Sequence, residues 1–141
     1  MNAAPLRLHL EAPRRIAAPG LSLRGVWRAR EAVRIRLHDG QGLVGVGEAL
    51  PLPGYSRDDA AAVAAVLARL ASRLTASGLS VPAAAPGPAQ IRAALAPLAP
   101  DLADAPAACF ALECALLDLL SRRAGLSAAA WLADGGPVDV V

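Results

Sequence analysis

The segment from Ala105 to Ala124 constrains the fold more than any other part of this 141-residue chain. Asp104, directly ahead of Ala105-Pro106, predicts a helix start, because proline suits a first turn where its missing N–H costs nothing. Phe110, Leu112, Leu116, Leu119 and Leu120 follow with few polar breaks, and Gly125 supplies a stop. A helix that is apolar nearly all round has to be wrapped by the rest of the chain, so it is expected at the centre of a single core. Hydrophobic residues make up 55% of the sequence but aromatics only 3%, so the wrapping must rely on small side chains and close approach rather than large anchors.

Leu6, Leu8 and Leu10 alternate with Arg7, His9 and Glu11, which predicts a half-buried strand. Residues 12–25 are rich in Pro, Gly, Ser and Arg without either periodicity and read as a long loop, with Arg14 to Gly25 expected to be the most mobile internal segment. Alternation resumes from Val26 to Leu37, Asp39-Gly40 supplies a turn, and Leu43 to Glu48 returns as a Gly-spaced strand. A three-stranded antiparallel meander is the simplest assembly. After it, Ser56 is placed to cap a helix with Asp58 and Asp59 in its first turn, and Val63, Val66, Leu67, Leu70 and Leu74 form one apolar stripe that ends at Gly78. A proline-rich connector leads to a short helix through Ile91, Leu95 and Leu98 that Pro97 and Pro100 end, then to the central helix and a short one from Ser127 to Ala133. Val138 to Val141 read as the beginning of another strand. The fold class is α+β, a meander followed by a helical subdomain.

Several functions are disfavoured by composition. A formal charge of +2 with interleaved signs and only four aromatic residues offers no basic, stacking surface for nucleic acid. The start of the chain lacks the uninterrupted apolar run of a signal peptide, and no stretch reads as a membrane span, so a cytoplasmic protein is expected. All 14 basic residues are Arg, so no lysine base is present. Cys109 and Cys114, five apart on one helix, are separated by about 140° of rotation, cannot pair there, and read as buried structural thiols. Glu113 and Asp118, on that same apolar helix, are each expected to have an Arg or backbone partner. Glu48 reads either as a buried carboxylate orienting the next loop or as an exposed one, and His9 and His38 as solvated.

Two stretches resemble one known family. Gly45-Val46-Gly47-Glu48, running into Pro51-Leu52-Pro53-Gly54-Tyr55-Ser56, and the helix segment from Ala107 to Leu120 together are similar to the N-terminal capping domain of the enolase superfamily, in its muconate lactonizing and o-succinylbenzoate synthase branch. The resemblance implies a cap over residues 1–134, closing the mouth of a (β/α) barrel whose first strand would begin in residues 135–141, with the barrel itself absent. It implies Mg²⁺ and lysine bases on that barrel, which abstract a proton alpha to a carboxylate; no such role can be carried to a residue of this chain, whose catalytic and metal-ligating sets are expected to be empty.

What does carry over is substrate recognition by two cap loops, matching Arg14 to Gly25 and Pro51 to Ser56, with Leu23, Arg24, Gly54 and Tyr55 as the expected substrate-binding residues. Arg24 could offer a guanidinium to a carboxylate, and Tyr55 an amphipathic wall; the plain alternatives are a solvated arginine and loop packing. The resemblance implies the cap of an o-succinylbenzoate synthase-like lyase, with the cap of a muconate cycloisomerase or dipeptide epimerase, or a stand-alone binding module, as alternatives. Expected partners are a barrel domain, in the same chain or separately encoded, a small carboxylate and a second copy of the chain through uncovered apolar surface; nucleic acid and membrane are not expected.

Overall fold

The computed structural model describes residues 5–22, 25–79, 81 and 87–133. Four antiparallel strands, β1 (Arg7–Leu10), β2 (Arg14–Ser22), β3 (Gly25–His38) and β4 (Val44–Ala49), precede helices α1 (Ala60–Ser77), α2 (Pro88–Leu95), α3 (Ala99–Leu102), α4 (Pro106–Arg123) and α5 (Ala128–Leu132), with a 3₁₀ turn at Ala96–Leu98. The expected meander is present: β3 pairs with β1 from His38↔Arg7 to Ile35↔Leu10 and with β4 from His38↔Val44 to Val33↔Ala49. Val33, Ile35 and Leu37 are fully buried on one face, as their alternation requires.

The segment expected to be a loop is a strand. β2 pairs with the N-terminal half of β3 from Arg14↔Ala32 to Ser22↔Gly25, with an irregularity between Ala17 and Gly20, and Glu11 N–H donates to Arg34 O (2.9 Å) between the β1 and β2 ladders. Most of Arg14 to Gly25 is therefore held by backbone hydrogen bonds, against the expectation that it is the most mobile segment. Pro19 and the bulge disguise the period in sequence, because a strand pairing along a single neighbour tolerates both. A Cβ built on Gly20 would lie 2.3 Å from the Trp27 ring, so the indole lies over the glycine of its own register pair.

α4 lies directly on β4. Cβ atoms built on Gly45 and Gly47 would fall 2.1 Å from Ala115 O and 1.9 Å from Ala111 O, so these glycines and the alanines opposite let the helix backbone touch the strand. Asp118 closes the contact, its carboxylate accepting from Val46 N–H (2.9 Å) and from Arg122 Nε (2.7 Å), which matches the partner expected for it. Glu113 instead is exposed and is solvated without needing one. The helix is not wrapped all round: Phe110 is 58% exposed, and Cys109 and Cys114 are half-buried rather than core thiols. Burial first and the neighbouring Glu113 charge second push both thiols above their ordinary range.

α1 is long and apolar enough, at a mean hydropathy of 1.3 over 18 residues, to cross a membrane by length and composition. Its Val63, Leu67, Leu70 and Leu74 stripe is buried in the shared core, as in an ordinary core helix. Its cap corrects the sequence reading. Asp59, not Ser56, accepts from Ala62 N–H (2.8 Å), while Ser56 Oγ accepts from Leu52 N–H (2.8 Å) within the preceding loop. Asp104 likewise does not cap α4; it is exposed beside Arg57 at 3.8 Å. The cap comes from Asp58, 49 residues earlier, whose Oδ2 accepts from Ala107 N–H (2.9 Å). Gly78 ends α1 as expected, with its N–H on Leu74 O (2.7 Å) and a φ of 70°.

Candidate functional site

Between the β2–β3 hairpin and the start of α1 lies a cleft of about 200 Å³ walled by Ala29 and Glu31 of β3, by Pro51, Leu52, Pro53, Gly54 and Ser56, and by Asp58, Asp59 and Ala60. The loop that forms one wall is internally tied. Tyr55 N–H (3.0 Å) and Ser56 N–H (2.9 Å) both donate to Leu52 O, and Ser56 Oγ accepts from Leu52 N–H. Gly54 turns at φ 74° with open space around its Cβ position, so the backbone conformation rather than crowding calls for glycine.

Of the four residues expected to bind substrate, Gly54 lines this cleft. Tyr55 is 60% exposed beside it, outside the lining. Leu23 and Arg24 lie outside the described residues, between the register partners Ser22 and Gly25 in sequence. Ala29 and Glu31 lie on β3, within the strand expected from Val26 to Leu37, but no local signal announces that they meet the loop. The Asp58-Asp59 doublet does announce helix capping, but not that its two members serve different helices.

The acids in the cleft do not make a metal centre. Asp59 Oδ1 and Asp58 Oδ2 are engaged as caps, and among the described residues no three His, Cys, Asp or Glu side chains converge on one point. A hard cation needs several oxygen ligands, so these residues do not fit Mg²⁺ and none is assigned to it. Glu48, the other acid beside the loop, pairs with Arg34 directly across the β3–β4 ladder (3.0 Å) and is 30% exposed, neither deeply buried nor free.

The chain is an α+β unit with a small antiparallel sheet, a central helix and a cleft at one edge. Residues 9–132 match the family described as mandelate racemase / muconate lactonizing enzyme, N-terminal domain, and the chain belongs to that family. Over 57 residues it is 42% identical to o-succinylbenzoate synthase of Thermosynechococcus vestitus, a stretch covering 40% of this chain and 18% of that protein. Among solved structures, a mandelate racemase/muconate lactonizing protein of Herpetosiphon aurantiacus superposes with a TM-score of 0.64 at 24% identity, over 87% of this chain and 32% of that one. A dipeptide epimerase of Enterococcus faecalis, solved with Mg and L-Leu-L-Tyr, gives 0.65 at 19% identity, over 88% and 32%. The chain thus spans about a third of the length of these structures.

Proposed function

We propose that this chain is the substrate-specificity cap of an o-succinylbenzoate synthase-like lyase, acting with a (β/α) barrel that supplies Mg²⁺ and the proton-abstracting bases. The observation that carries this reading is the 42% identity over 57 residues to the synthase of Thermosynechococcus vestitus. The cleft beside Pro51–Ser56 supports it, because a cap contributes by covering the substrate and excluding water rather than by chemistry of its own. In this reading the parent enzyme dehydrates a cyclohexadiene carboxylate to an aromatic acid in cytoplasmic menaquinone synthesis. In the same reading Leu23, Arg24, Gly54 and Tyr55 are the substrate-binding residues.

The test is to assay the chain together with its barrel, whether encoded in frame or separately, with Mg²⁺ on the cyclohexadiene carboxylate and on dipeptides. Turnover of the former, absent when the 141-residue chain is assayed alone, is the expected result. Epimerisation of dipeptides only would assign the cap to an epimerase, and failure of the folded chain to engage any barrel would make it a binding module.

Without a barrel the chain self-associates in this reading. Phe110 (58%) and Leu132 (46%) are large apolar side chains left exposed along a groove of about 330 Å³ between α2, α4 and α5, where uncovered apolar surface favours association. Sedimentation at micromolar concentration should show dimers or larger species. A clean monomer that binds no hydrophobic dye would contradict this. Val138 to Val141, read from sequence as the beginning of another strand, lie outside the described residues.

A further inference from the structure

The β3–β4 ladder ends at Val33↔Ala49. Continued in register it would set Leu50 against Ala32 and Pro51 against Glu31, but proline brings no N–H and cannot extend a ladder. Arg30 reaches across this break. It stands opposite Ile16 of β2, between the cleft-lining Ala29 and Glu31, and its Nη2 donates to the carbonyl of Leu50, the residue from which the Pro51–Ser56 loop departs. Its Nε is buried with no acceptor among the described residues. A guanidinium held so is lodged between strand and loop, since a solvated one would keep all its donors in water.

We propose that Arg30 is a positioning residue for substrate specificity: past the end of the ladder its guanidinium serves Leu50 O in place of a β3 backbone N–H, and so clamps the Pro51–Ser56 loop to the β2–β3 hairpin. The two segments then shape the cleft as one unit. Its role in specificity rests on the cap reading above; the clamp itself does not.

Amide exchange on the whole chain reads the clamp without any substrate. Arg30→Ala should speed exchange of the Tyr55 and Ser56 amides about tenfold or more while α4 amides keep their rates, and Arg30→Lys, which retains one reachable donor, should restore most of the protection. In the enzyme assembled with its barrel, Arg30→Ala should raise KM about tenfold with kcat within about twofold, and Arg30→Lys should recover it. Unchanged exchange at Tyr55 and Ser56, or equal acceleration throughout α4, overturns the clamp. An unmoved KM overturns the specificity role. If the assembled enzyme accepts only dipeptides, the synthase reading fails, yet the KM for the dipeptide still tests Arg30.

Discussion

Gly47→Ala should destabilise this domain by about 3 kcal/mol or more, at the upper end of what overpacking costs. The added Cβ would sit 1.9 Å from Ala111 O and 2.9 Å from Ala115 N, and both obstacles are backbone. A flexible side chain could swing aside, but a helix backbone can yield only if α4 lifts from β4 along its length. That movement would also pull Asp118 from Val46 N–H. Gly45→Ala should act in the same way, meeting Ala115 O at 2.1 Å. Urea denaturation followed by circular dichroism measures the effect. A loss below about 1 kcal/mol would mean that helix and strand separate cheaply, and that the close contact does not hold the fold together.

The second large effect is expected at Asp39 and depends on pH. Its side chain is 98% buried or more in the β3–β4 turn, at a relative exposure of 2% for the residue, and Oδ1 accepts from Gln41 N–H (2.8 Å) and Leu43 N–H (3.0 Å). Arg123 approaches Oδ2 at 3.5 Å from the last turn of α4, tying the turn to the helix end. Burial pushes the carboxyl up, but the two amides and the guanidinium outweigh it and leave the group below its ordinary value of 3.8. A carboxylate held lower in the folded than in the unfolded chain contributes stability that is complete above the unfolded value, about 4, and is lost as pH falls through the folded one.

Asp39→Ala should therefore cost about 2 kcal/mol at pH 7, since it strands buried donors that had a charged acceptor. Asp39→Asn keeps an oxygen for the amides and should cost less, while flattening the loss of stability below about pH 4. The half-buried Glu11, lowered chiefly by its hydrogen bond to Arg36, shifts in the same direction, so the informative quantity is the difference between wild type and Asp39→Asn. Thermal unfolding from pH 7 to pH 3 measures it. Parallel curves for the two proteins would show that the acid sensitivity resides elsewhere.

Much of the architecture was legible because it depends on short-range patterns. Val33, Ile35 and Leu37 needed only the two-residue period to be placed inward, the stripe from Val63 to Leu74 only the helical one, and Gly78 and Gly125 only their tolerance of positive φ. The family was legible from the Gly45–Ser56 and Ala107–Leu120 segments, where close backbone packing and loop shape leave little freedom of residue choice. Gly54 was reachable for the same reason.

What escaped the sequence are relations between distant residues. β2 was missed because its order comes from β3 rather than from its own pattern. Asp58, Asp59, Ser56 and Asp104 are all competent caps, and which oxygen meets which N–H is decided only when α4 packs beside α1. The interleaved charges that argued against any basic surface are sorted by the pleat: Arg34, Arg36 and His38 share the face opposite Val33, Ile35 and Leu37, with Glu48 and Glu11 pairing the two arginines. Arg30 is one arginine among 14 in the sequence, with nothing local to set it apart. Residue type and period therefore determined the elements and the family. Their assembly decided the cleft and the partner of each polar group, because a hydrogen bond between residues 20, 49 or 72 positions apart exists only once the chain between them has folded.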